Sequence, residues 1–170
     1  MNIFKIIDMS ISKKLTVDNL RLSVLISLLS FIGSFSSIFI FLIFLFIFCD
    51  EKISFIESVC SLIFVTGIVF ILKFTVKRKR NTSEINKIKQ KIDPYSFPSG
   101  HISRIFAAVS PFYNLLPVVI STFILGFLVS IARICKGYHY FSDCLVGVFT
   151  GIISSVLAKI VLKTILTIIC

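Results

Sequence analysis

The sequence predicts an all-α bundle of about five membrane-spanning helices preceded by an amphipathic N-terminal segment, and three observations carry that prediction. The chain is 56% hydrophobic with a mean hydropathy of +1.02, too apolar for a soluble globular domain and remote from the disordered class. Its apolar residues lie in long blocks, and a block of about 20 is enough to cross the hydrocarbon core of a bilayer. Its polar residues collect in the breaks between those blocks. At 170 residues the chain reads as a single domain, 1–170.

Each element follows from local pattern. Residues 1–19 mix Lys5, Asp8, Lys13, Lys14 and Asp18 with Ile3, Phe4, Ile6, Ile7, Ile11 and Leu15, a spacing that suits a helix lying in the interface. The run Leu22–Phe48 far exceeds the apolar core of a signal peptide, about 7–15 residues, and no small-residue cleavage site accompanies it, so it reads as an uncleaved anchor. Asp50, Glu51 and Lys52 form a polar turn, and a second span covers about Ile53–Val76. The only long polar segment, about 77–97, is punctuated by Asn, Ser, Lys, Asp and Pro, as a surface loop is. A third span is expected over Ser99–Asn114, with Pro117 helping to break the chain, and a fourth over Val118–Ile134. A polar loop, Cys135–Ser142, leads into the fifth, Asp143–Ile169, with Ser142 as its expected N-cap. Spans three and four, at roughly 15–17 residues, fall short of the usual length. Either the membrane thins around them or their polar ends lie below the headgroups.

Charge and cysteine content narrow the function classes. Five Cys, at 49, 60, 135, 144 and 170, share no C-x-x-C spacing, so neither a disulfide framework nor a zinc site is expected. Formal net charge is +10, and eight of the 18 Lys and Arg fall between Lys73 and Lys91. Such a stretch has a plain reading as a solvated juxtamembrane segment. A sharper reading is attraction for anionic headgroups or phosphate esters. No aromatic interleaving supports nucleic acid as a partner.

The chemistry is concentrated around two histidines. His101 closes Phe97-Pro98-Ser99-Gly100-His101 where the loop enters span three, and His139 lies in the loop before span five, four residues ahead of Asp143. Two spans separate those loops, so they share a face with the basic end of span two, Lys73 to Arg80. Lys and Arg supply fixed positive charge, and Arg grips two phosphate oxygens at once. Pro98-Ser99-Gly100 at a helix start turns backbone N–H groups toward an anion. A His attacks phosphorus when a carboxylate fixes its tautomer, and a second His protonates the leaving alkoxide. This arrangement needs no metal and no cofactor. Taken singly, each piece has a plainer reading: an interfacial polar anchor for either His, a turn for Pro-Ser-Gly, a first-turn acid for Asp143. Their co-occurrence at the ends of apolar spans is what membrane proteins avoid unless the cluster has a task.

At these residues the chain resembles the type 2 phosphatidic acid phosphatase family, which shares its site with vanadium haloperoxidases. The family pattern is K-x6-R-P, then P-S-G-H, then S-R-x5-H-x3-D. Here it reads Lys73 and Arg80 followed by Asn81, then Pro98-Ser99-Gly100-His101, then Ala132-Arg133, His139 and Asp143. The resemblance covers about residues 73–147, and the first 70 residues add only hydrophobicity. It implies His139 as the phosphorylated nucleophile, Asp143 as its orienting group and His101 as the acid. It also implies Lys73, Arg80 and Arg133 as phosphate ligands helped by Ser99 and Gly100. Asn81 replaces Pro and loosens a turn. Ala132 replaces Ser and removes a hydroxyl. Many membrane members have six spans, one more than is counted here.

The expected function is therefore metal-independent removal of phosphate from a phosphorylated membrane lipid, with the bilayer as partner and the oligomeric state left open. Phosphatidic acid, phosphatidylglycerophosphate, undecaprenyl diphosphate and a phosphorylated lipid A all fit. A phosphotransferase using the same phosphohistidine and a non-catalytic binder of anionic lipids are the alternatives. A transporter would carry ionisable groups mid-span, and these spans carry almost none. The membrane is expected to be the cell (inner) membrane. Fifteen of the 18 Lys and Arg fall on the site's side in a five-span topology, which argues for a cytoplasmic site. Bacterial members of the resembled family usually work on the periplasmic face, and that face is the expectation adopted.

Overall fold

The computed structural model describes residues 8, 10, 20–48, 51–80 and 93–169, and the regular elements among them are all helical. They are α1 (Leu20–Ile32), α2 (Phe35–Phe48), α3 (Lys52–Val76), α4 (Gly100–Val109) with a 3₁₀ turn at Ser110–Phe112, α5 (Leu116–Cys135) and α6 (Phe141–Ile169). The amphipathic helix expected over 1–19 lies, Asp8 and Ser10 aside, outside the described residues.

Among the described residues, α3, α5 and α6 are long and apolar enough to cross a membrane, and α1 with α2 makes a fourth crossing if the bent pair is one span. The expected anchor Leu22–Phe48 is thus two helices meeting at 53°. The break falls at Gly33-Ser34, a pairing that commonly kinks helices. Ser34 Oγ accepts the Ser37 amide at 3.3 Å as a cap for α2, and Ser37 Oγ donates to the Phe31 carbonyl at 2.8 Å. The expected third span is a helix of only ten residues. Pro111 ends it, because its ring would clash with a carbonyl one turn back and it has no N–H to donate. Pro117, expected as a breaker, instead sits in the first turn of α5, where a missing N–H costs nothing.

The short helix α4 is the centre of the bundle. Ile102, Ser103, Ile105, Phe106, Ala107, Ala108 and Val109 are all buried, packed among α3, α5 and α6. The approach of α6 is set by Gly147 and Gly151. A Cβ on Gly147 would lie 3.0 Å from the Ser99 carbonyl oxygen, and one on Gly151 only 2.5 Å from that of Ser103. Small residues four apart on one face let two backbones meet in this way. Outward-facing residues such as Phe39, Ile40, Ile63, Phe70, Phe127 and Phe149 are exposed and apolar, as a lipid-facing surface requires. Buried hydroxyls return to their own helix: Ser103 and Ser154 donate to carbonyls one turn back at 3.0 and 2.7 Å. Ser58 also reaches the Ala108 carbonyl at 2.6 Å, tying α3 to α4. Beyond the C-terminal end of α4 a cavity of about 320 Å³ opens, lined by residues including Glu57, Ser110, Tyr113 and Lys159.

Gly151→Val is expected to be among the most destabilising substitutions in the chain, because the atoms it meets are backbone and cannot move aside. Overpacking of this kind typically costs about 1–3 kcal/mol. Thermal unfolding in detergent measures it, and a variant as stable as the wild type would contradict the packing described.

Candidate active site

Three helix ends converge on the N-terminal end of α4, and each is shaped by a local signal. The helix α3 terminates in a left-handed residue, Lys77 (φ 50°, ψ 35°), whose amide bonds back to the Lys73 carbonyl at 3.0 Å. That turn sends Arg78 and Arg80 across the bundle and leaves Lys73 on the last turn of the helix. The chain returns at Asp93, where Tyr95 bridges to Lys79 and the Ser96 amide bonds to the Arg78 carbonyl at 2.8 Å. Gly137, at φ 67°, closes α5 with an amide bond to the Ile134 carbonyl at 2.8 Å and delivers His139.

Helix α6 begins at Phe141, so Ser142, expected as its cap, lies inside the first turn. Asp143 does the capping. Its Oδ2 accepts the Tyr140 amide at 2.9 Å, the reach-back half of a capping box. Its Oδ1 accepts from Arg78 Nη1 at 2.9 Å. Ser142 is engaged elsewhere: its amide and hydroxyl both donate to the Asp8 carboxylate, at 3.1 and 2.5 Å. Arg78 Nη2 completes that cluster with a 2.6 Å contact to Asp8. Burial alone would raise the Asp8 carboxyl, but the Ser142 hydrogen bonds and the Arg78 charge hold it below its ordinary value.

The two histidines stand in complementary settings. His139 is buried, and its Nδ1 lies 2.6 Å from the Ser96 carbonyl oxygen. A carbonyl only accepts, so Nδ1 carries the proton and Nε2 keeps its lone pair. Asp143, expected to orient this ring, lies 3.8 Å from Nδ1, outside hydrogen-bond range, and the main chain of Ser96 takes that place. Burial lowers the His139 pKa well below its ordinary value, and Arg133, Arg80 and Lys73 push it further down, so the ring is neutral at neutral pH. His101 meets a donor instead: Arg104 Nη2 lies 3.4 Å from its Nδ1.

Cations surround the pair. Lys73 Nζ and Arg80 Nη2 both bond Asp93 Oδ2, the latter at 2.5 Å. Arg80 is also held by the main chain, Nε to the Asp93 carbonyl at 2.9 Å and Nη1 to that of Tyr138 at 3.3 Å. Arg133 stacks 4.5 Å from the Tyr138 ring centre and donates to Ser30 Oγ at 2.9 Å. Arg104 lies 4.4 Å over the Phe35 ring. Burial tends to raise the Asp93 carboxyl, yet the Lys73 hydrogen bond and the Arg80 and Lys73 charges hold it below its ordinary value. Among the described residues three buried side-chain N or O atoms lack a hydrogen-bond partner: Ser99 Oγ, Arg104 Nε and Arg133 Nε. All three belong to this cluster. No group of three His, Cys, Asp or Glu suited to a metal ion occurs among the described residues.

Residues 51–166 match the sequence profile of the PAP2 superfamily. The chain belongs to the PAP2 superfamily. Two crystal structures share the fold of this PAP2 chain. Aquifex aeolicus LpxE aligns with a TM-score of 0.69 at 23% identity, over 89% of this chain and 93% of that one. The first transmembrane PAP2 type phosphatidylglycerolphosphate phosphatase from Bacillus subtilis aligns with a TM-score of 0.75 at 20% identity, over 97% and 89%. No protein of curated function matches the sequence.

In this PAP2 chain Lys73, Arg80, Ser99, Gly100, His101, Arg133, His139 and Asp143 all come to one end of the bundle, while Asn81 lies outside the described residues. Ala132 is buried beside Ile26 and Cys135, so the position faces α1, where an apolar contact takes the place of the family's hydroxyl. The first 70 residues do more than supply apolar bulk. Asp8, Ser30 and Phe35 touch cluster residues, and Gly33 packs directly on His101. Arg78, Asp93, Ser96, Arg104 and Tyr138 were not singled out from sequence. Arg104 alone had a visible signal, standing one helical turn after His101.

A Cβ on Gly33 would meet His101 Cβ at 3.0 Å and Cδ2 at 3.1 Å, whereas one on Gly67 meets nothing within 4 Å. Gly33→Val is therefore expected to displace His101 and lower phosphatase turnover about tenfold or more, and Gly67→Val to leave it near wild type. Equal turnover in the two variants, assayed on phosphatidic acid in mixed micelles, would contradict this contact.

Proposed function

We propose that this PAP2-type membrane phosphatase hydrolyses the terminal phosphate of a membrane lipid through a phosphohistidine on His139, without a metal. The observation that carries the reading is the set of unpartnered buried polar atoms, all in one cationic cluster around two histidines. Buried polar groups are normally paired, and a phosphoryl group would pair these.

In the first step His139 Nε2 forms a bond to phosphorus as the phosphorus–oxygen ester bond breaks. The leaving alkoxide takes a proton from His101 in its imidazolium form, which becomes the neutral ring. Lys73, Arg80, Arg104 and Arg133 offset the charge that builds on the phosphoryl oxygens, and the Ser99 hydroxyl and the Gly100 amide assist. In the second step water attacks phosphorus and gives a proton to His101, and orthophosphate leaves His139. Asp143 acts at one remove, holding Arg78 and the Tyr140 amide and so the turn that carries His139. The Bacillus subtilis structure is of a phosphatidylglycerolphosphate phosphatase, which supports a phosphomonoester on a glycerolipid as the substrate class.

His139→Ala is expected to abolish phosphate release from phosphatidic acid and phosphatidylglycerophosphate, by several powers of ten as nucleophile removal does elsewhere, while the protein stays folded in detergent. A variant retaining even a tenth of wild-type turnover would sink the mechanism. Turnover is also expected to persist in excess EDTA and to be inhibited by vanadate, whose five-coordinate form resembles the transition state. Loss of activity with chelator and its return with Mg²⁺ would reverse the metal-free reading.

A further inference from the structure

We propose that Asp93 is an internal stand-in for the substrate phosphate, its carboxylate holding Lys73 and Arg80 in the empty enzyme and yielding them when a phosphoryl group binds. The proposal rests on the phosphatase reading and adds to it a residue that sets which anions enter. Both cations converge on a single oxygen, Asp93 Oδ2. The Asp93 side chain is 42% exposed, against 16% for Lys73 and 7% for Arg80, so the carboxylate lies on the open side of the cations it covers.

Arg80 does not depend on that carboxylate for its position, because its bonds to the Asp93 and Tyr138 carbonyls remain when the side chain swings out. The carboxylate leaves part of the cluster unserved, since Ser99 Oγ, Arg104 Nε and Arg133 Nε have no partner while it is in place. A terminal phosphate brings three free oxygens and up to two charges. It replaces the carboxylate on Lys73 and Arg80 and also reaches groups the carboxylate does not. A phosphodiester has two free oxygens and one charge, and so trades like for like with Asp93 at the cost of moving it. In a bilayer whose anionic lipids are mostly phosphodiesters, the residue keeps the cations from being occupied by the solvent lipid itself. Asp93 is thus a specificity residue that favours terminal phosphates.

Asp93→Asn and Asp93→Ala test this in the full-length protein in detergent, with orthophosphate, vanadate and phosphatidylglycerol micelles as probes. A charge-assisted pair is worth enough for its loss as a competitor to tighten orthophosphate and vanadate binding about tenfold. KM should fall with it, and phosphatidylglycerol should become an effective inhibitor. Thermal unfolding supplies a second readout: vanadate should raise the melting temperature more in the neutral variants than in wild type, even where the variants are less stable without it. Unchanged or weaker vanadate affinity, or an equal or smaller vanadate-induced shift, would show a structural tie and overturn the proposal. A wild-type protein that neither binds vanadate nor hydrolyses a lipid phosphate would instead strike the phosphatase reading.

Discussion

Ser99 donates its amide to the Asp143 carbonyl at 2.9 Å, and through that bond the first turn of α4 and the first turn of α6 become one structural unit. His101 is two residues beyond one partner and His139 four residues before the other, so the spacing of the two rings is fixed by a main-chain contact. The bond exists only because the backbones come so close, which Gly147 and Gly151 permit. Helix association in a bilayer gains little from the hydrophobic effect, since lipid tails are as apolar as the side chains. Close backbone contact supplies the attraction instead, and the same contact aligns the chemistry.

Around that unit the protein manages a concentration of positive charge that an apolar surrounding resists. Four cationic side chains gather near two imidazoles, and the balancing carboxylates are divided. Asp93 answers Lys73 and Arg80, whereas Asp8 and Asp143 answer Arg78, which is bound to neither histidine. Arg104 and Arg133 rest on aromatic faces, Phe35 and Tyr138, which stabilise a guanidinium without filling the space in front of it. The cluster is therefore held on its protein side and, on the proposed function, left with unpaired donors for an incoming phosphate.

Most of the cluster could be read from the sequence because its members sit at helix ends, where spacing in the chain maps directly onto spacing in space. Lys73, the Pro98–His101 run and the Arg133–Asp143 segment each mark one such end. What escaped was of three physical kinds. Ser96 works through its main-chain carbonyl, and a carbonyl has no residue signature. Asp93 pairs across the two ends of one long loop and Arg78 across the bundle, so their partners are not close in sequence. Ser30, Gly33 and Phe35 lie in an apolar run where function shows only as a helix break, and a Gly-Ser pair in a Phe- and Ile-rich stretch is easily absorbed into a straight span. The misplaced cap at Ser142 has a simpler origin: Ser favours that position generally, but here Asp143 reached the free amide first.

Helix α4 is ten residues long and sits on the axis of a bundle whose other members run to 29. Its N-terminus is level with the start of α6, so the whole deficit appears at its other end, where the cavity beside Glu57 and Lys159 begins. Along the axis the low-dielectric barrier is then little more than Ile102, Ile105, Phe106, Val109 and Phe112, about half the thickness of the hydrocarbon core at 1.5 Å per residue. The packing of these side chains is thus electrical insulation as well as stability.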